Sequence, residues 1–62
     1  MGYMKLVTAK EISEMLGVKR STVYLWAETG VIPFYKLNGA IRFSVDEVVE
    51  WIKSCRRAPV KI

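Results

Sequence analysis

Gly17-Val18-Lys19-Arg20-Ser21-Thr22-Val23-Tyr24-Leu25-Trp26-Ala27-Glu28-Thr29-Gly30 is the stretch on which the reading of this chain turns. Gly17 supplies the positive φ that a tight bend between two helices favours. Val23, Trp26 and Ala27 recur at i, i+3 and i+4, so they share one apolar, inward face of a helix running from about Arg20 to Thr29. Ser21, Thr22, Tyr24 and Leu25 are left on the outer side. Gly30 is a stop signal, with Pro33 just beyond it. Lys19 stands where a Ser or Asp cap is expected, so the helix start is weakly capped. It is either a charge placed for a partner or simply tolerated there. The first amide N–H groups of a helix lack partners and favour anions. With Lys19 and Arg20 beside them, this terminus suits a phosphate backbone.

Working outward, Thr8-Ala9-Lys10-Glu11 is a capping box that opens a helix from about Ala9 to Leu16. Ala9, Ile12 and Leu16 make its inner face, with Met15 flanking; Lys10, Glu11, Ser13 and Glu14 make the wet face. Before it, Met1 to Val7 is a short lead-in, of which Leu6 and Val7 pack on the core as an irregular or extended arm. After Val31-Ile32-Pro33, the run Phe34-Tyr35-Lys36-Leu37 reads as a strand, Asn38-Gly39 as a type I′ turn and Ala40-Ile41-Arg42-Phe43 as the return strand. A two-residue loop pairs Leu37 with Ala40, Lys36 with Ile41 and Tyr35 with Arg42, placing Lys36 and Arg42 near the hairpin tip. Ser44-Val45-Asp46-Glu47 is a second capping box and opens a helix from about Val45 to Cys55. Its buried face is Val45, Val48, Val49, Ile52 and Cys55, with Trp51 at the edge. Arg56, Arg57 and Lys61 form a basic tail interrupted by Pro59. The result is one domain over 1–62, with 1–5 and 56–62 expected to be flexible. Its core is expected to gather Ile12, Leu16, Val18, Val23, Trp26, Ala27, Ile32, Val48, Val49 and Ile52. The architecture is mainly α with a small β-hairpin: helix-turn-helix, two-stranded wing, third helix.

A chain of 62 residues buries only about 60% of its unfolded surface, so the core must be efficient. An apolar fraction of 52% argues against disorder. No apolar run approaches the length of a membrane span, and no signal peptide or myristoylation signal is expected. Cys55 is the single cysteine and there is no histidine. An internal disulfide is therefore impossible, a metal site would need carboxylates alone, and the commonest general base is missing. Cys55 reads as a small buried residue with nothing to activate it as a nucleophile. No cofactor is expected, and a cytoplasmic binding module is favoured over an enzyme. Ten Lys and Arg against six Asp and Glu give a net charge of +4, which suggests a polyanionic partner.

From Leu6 to Ile52 the chain resembles the small excisionase-type DNA-binding domains of the MerR-like helix-turn-helix group. The resemblance is carried by Leu6-Val7-Thr8-Ala9-Lys10-Glu11, Met15-Leu16-Gly17-Val18, Arg20-Ser21-Thr22-Val23-Tyr24, Gly30-Val31-Ile32-Pro33, Gly39-Ala40-Ile41-Arg42-Phe43 and Asp46-Glu47-Val48-Val49-Glu50-Trp51-Ile52. No single piece is specific; all six in order, at this spacing, make the match. It implies a winged helix-turn-helix that binds double-stranded DNA, with the second helix in the major groove and the hairpin on the adjacent backbone or minor groove. Some members regulate transcription; others are recombination directionality factors that load on repeated sites and steer an integrase toward excision. An integrase or recombinase partner and cooperative self-association on DNA are thereby implied, with a nucleoid-associated location. Two positions depart from the pattern: Lys19 replaces a frequent Ser, and Leu25 a frequent basic residue. Full-length MerR-type regulators continue into a long dimerisation helix, a mode not expected of a chain ending at Ile62.

On this reading Lys19, Arg20, Lys36 and Arg42 meet the backbone or groove walls, where phosphate contacts supply affinity and register. Ser21, Thr22 and Tyr24 are the candidate readers of base edges, and Leu25 can meet a thymine methyl. Each has a plainer alternative: a solvated charge, a capping hydroxyl, a tyrosine packed beside the wing, an exposed leucine without a role. Trp26 and Trp51 belong in or beside the core rather than on bases. Glu28 is outward and two turns from the helix start, so it is expected to point past the duplex. An all-helical, coiled partner-binding module is the rival of another class; it needs an exposed apolar stripe, and only Leu25 and at most Tyr35 supply one.

Overall fold

A computed structural model describes residues 5–57. The chain runs β1 (Leu6–Val7), α1 (Ala9–Leu16), α2 (Arg20–Glu28), β2 (Tyr35–Leu37), β3 (Ala40–Ser44) and α3 (Val45–Cys55). The three strands form one antiparallel sheet in the order β1-β3-β2. The architecture is the winged helix-turn-helix expected from the sequence, with one addition. Leu6 and Val7, expected as an irregular or extended arm, form a strand paired with Ser44 and Phe43. The ends expected to be flexible, 1–5 and 56–62 with Pro59 and Lys61, lie largely outside the described residues.

Local chemistry explains the element ends. Thr8 Oγ1 accepts from the Glu11 amide at 3.3 Å, and the Thr8 amide donates to Glu11 Oε1 at 3.0 Å. That reciprocal cap holds the Glu11 carboxyl below its usual range, first through the Thr8 backbone bond, then through the Thr8 hydroxyl; Lys5 and Arg42 add smaller attractions. α1 ends at Gly17, φ 71°, in the left-handed region that glycine adopts without steric cost. α2 ends in a Schellman arrangement: the Val31 amide donates to the Trp26 carbonyl at 2.8 Å and the Gly30 amide to that of Ala27 at 3.1 Å. At the hairpin tip Asn38 and Gly39 have φ of 52° and 93°, as a type I′ turn requires, and Leu37–Ala40, Lys36–Ile41 and Tyr35–Arg42 pair as the loop length predicts.

The core is Val7, Ala9, Ile12, Val23, Ala27, Ile32, Phe43 and Val48, with Leu16, Val18, Trp26, Ile41, Val45 and Trp51 packed around it. The sequence expectation differs from it at Phe43, at Ser13 and along α3. Phe43, the largest fully buried side chain, is absent from the expected core; the β1–β3 pairing carries it inward beside Val7, which packs on the core as expected. Ser13 is buried rather than wet. It follows Ala9 by one turn, and its hydroxyl is satisfied by the Lys10 carbonyl at 2.7 Å. Val49 and Ile52 are each 38% exposed and Cys55 is exposed, so these three leave the expected buried face of α3. Val48 is buried and Val45 packs on the core as expected, and Trp51, expected at the edge, packs there with them. The Trp51 ring meets Trp26 at 5.6 Å between centroids, tilted by 57°. The second capping box is only half formed. Ser44 Oγ accepts from the Glu47 amide at 3.4 Å, but the Glu47 carboxylate is taken by the Tyr35 hydroxyl at 2.6 Å. Among the described residues no helix is long and apolar enough to cross a membrane.

Candidate nucleic-acid interface

The three helices start differently. α1 has the Thr8–Glu11 cap, and α3 has Ser44 with Asp46 and Glu47 in its first turn. α2 has neither a capping side chain nor an acidic residue in its first turn. Lys19 sits at its N-cap position with extended backbone (φ −73°, ψ 148°) and makes no cap bond; Arg20 follows as the first helical residue. Both are exposed. Two cations at the positive end of a helix dipole oppose its stability unless an anion joins them. Among the described residues the single ion pair is Lys53–Glu50, at 3.1 Å, so Lys19, Arg20, Lys36 and Arg42 have no carboxylate within bridging distance.

Packing turns Val23 and Ala27 of α2 inward and leaves Ser21, Tyr24, Leu25 and Glu28 exposed. These four recur at i, i+3, i+4 and i+7, so they form one outward row along the helix. Tyr24 is 45% and Leu25 55% exposed. Thr22 is half-buried, at the flank of this row beside the packed surface. Glu28 belongs to the outward row, at the end of α2 away from Lys19. The row thus offers hydroxyls, an aliphatic tip and a carboxylate, following a doubly cationic start.

The wing carries the remaining two residues differently from each other. Residues directly opposite on antiparallel strands share a face, and successive residues alternate. Lys36 shares its face with Ile41, and Arg42 shares the other with Tyr35. The two cations therefore project from opposite sides of the ribbon. Lys36 is exposed; Arg42 is half-buried and donates from Nη1 to the Ile41 carbonyl at 2.8 Å. A guanidinium has five N–H donors, so most of this one stays free for a phosphate. The sequence reading had no part for Tyr35 beyond an exposed apolar contribution. Its hydroxyl bond to Glu47 is a long-range pairing that no local pattern signals.

A profile of the helix-turn-helix domain family matches residues 6–56. No curated protein and no solved structure matches the chain.

Proposed function

The chain belongs to the helix-turn-helix domain family, whose fold binds double-stranded DNA, and from that premise we propose that it is an excisionase-like recombination directionality factor. Lys19 and Arg20 anchor the start of α2 on phosphates, and Ser21, Thr22, Tyr24 and Leu25 face base edges in the major groove. The observation that carries this reading is the exposed row Ser21–Tyr24–Leu25 running from an uncapped helix start that holds two unpaired cations. The wing follows on the adjacent backbone or in the minor groove. A ribbon with Lys36 on one face and Arg42 on the other suits a narrow groove, where each cation meets a different wall. One recognition helix reads only a few base pairs, so specificity implies several copies loaded side by side on repeated sites, with an integrase as the partner that uses them. A small MerR-like transcriptional regulator would use the same contacts; cofractionation with an integrase on its attachment site separates the two roles.

The test is a salt series of binding to a duplex pool by the wild type, Arg20→Ala and Arg42→Ala. With about five phosphates neutralised, log K should fall against log salt with a slope near −4 to −5, and each substitution should make it shallower by about one. Salt-insensitive binding, or binding indifferent to both substitutions, would remove α2 and the wing from the interface and move the function to a protein partner.

A further inference from the structure

β2 is a short edge strand. Among the described residues it pairs with β3 on one side and with no strand on the other, and Lys36 and Leu37 are exposed. Such a hairpin is marginal on its own and must be held by something outside it. Among the described residues, one side-chain hydrogen bond ties β2 to the rest of the fold: Tyr35 Oη donates to Glu47 Oε2 at 2.6 Å. This is the short O–H···O⁻ geometry of a charge-assisted bond. It pushes the Tyr35 phenol above its ordinary range, the Glu47 bond being the largest cause. Glu47 occupies the position in α3 that Glu11 occupies in α1, yet it does not close the cap as Glu11 does. Its carboxylate is spent on the wing instead. Tyr35 stands directly opposite Arg42 and on the same face of the ribbon.

We propose that Tyr35 is a positioning residue: through Glu47 it ties the wing to the start of α3 and fixes where Arg42 meets the DNA backbone. The proposal rests on the DNA-binding reading above and adds a residue that touches no DNA itself. Arg42 already gives one donor to the Ile41 carbonyl, so the direction of its remaining donors follows the ribbon that carries it. A wing free to hinge at β2 loses that direction while keeping its charge.

A double-mutant cycle on one duplex tests this. Tyr35→Phe removes the hydroxyl and keeps the ring. It should leave the domain folded with a thermal midpoint lowered by only several degrees, speed amide exchange across Tyr35–Arg42, and weaken binding by about threefold to tenfold, the range set by one net hydrogen bond. Arg42→Ala should weaken binding, and Tyr35→Phe added to it should cost little more, because the tether acts through Arg42. Combined with Arg20→Ala, the Tyr35→Phe loss should add in full. Glu47→Gln, which keeps an acceptor for the hydroxyl, should retain most of the affinity. Wild-type affinity in Tyr35→Phe, or a loss that adds fully to Arg42→Ala, would overturn the tether while leaving DNA binding intact. Failure of the wild type itself to bind the duplex would overturn the function, and the tether's role with it.

Discussion

At the scale of single residues, Lys19 is where stability and binding pull apart. The structure gives it the N-cap position of α2 without a cap bond, and puts Arg20 immediately after it. Ser or Asp there would satisfy one of the orphan amides and would not oppose the dipole. Lys19→Ser should therefore raise stability by about 1 kcal/mol, which for a domain of this size is a rise in Tm of about 4–8 °C. If Lys19 meets a phosphate as proposed above, the same change should also make the salt slope of DNA binding shallower by about one. Thermal melts and the salt series on one preparation read both quantities. A variant that is more stable and binds with an unchanged slope would show that Lys19 is merely tolerated. Glu28 presents the opposite case, a carboxylate in the outward row of α2 that opposes phosphate wherever it lies near one.

At the scale of elements, α3 gives the sharpest contrast between pattern and packing. Val45, Val48, Val49, Ile52 and Cys55 make an apolar stripe in sequence, but the helix is seated on Val45, Val48 and Trp51. Val48→Ala should then cost about 1–2 kcal/mol, in the range for deleting methyls from a filled site, whereas Ile52→Ala should cost well under half of the 2–5 kcal/mol typical of a buried isoleucine. Chemical denaturation of the two variants checks it, and equal costs would restore Ile52 to the core. The stripe misleads because periodicity reports which residues are apolar, not which neighbour claims them; the Trp26–Trp51 contact is made between distant parts of the chain. Elements set by local chemistry were legible: the Thr8–Glu11 cap, the Gly17 bend, the Gly30 stop and the Asn38–Gly39 turn with its register all appear where the residues predict. Features set by pairing across the fold were not: the β1 strand, the burial of Phe43 and the use of Glu47 by Tyr35. The same division runs through the candidate site. The outward side of α2 follows from its spacing and the opposite facing of Lys36 and Arg42 from the hairpin register, while the Tyr35–Glu47 bond follows from no local pattern.

At the scale of the whole molecule, the helices and the wing share one small core, so DNA binding and folding are coupled quantities. Phe43 joins the two parts: it lies on β3 and pairs with Val7, and it packs among Ile12 of α1, Val23 of α2 and Val48 of α3 in the same buried cluster. A core of this size rarely supplies more than about 3–5 kcal/mol, and Phe→Ala at a buried site costs about 3–5 kcal/mol. Phe43→Ala should therefore be largely unfolded at 25 °C, with most of its far-UV helical signal lost. A ligand that binds only the folded state returns about 2.7 kcal/mol at a hundredfold excess over its Kd. Titrating duplex into Phe43→Ala should accordingly recover helical signal, and recover less as salt rises, because the phosphate contacts that supply the linkage weaken with salt. Recovery that ignores salt would mean that something other than backbone contact refolds the chain. No recovery at saturating duplex would mean that duplex does not bind the folded domain in preference to the unfolded chain.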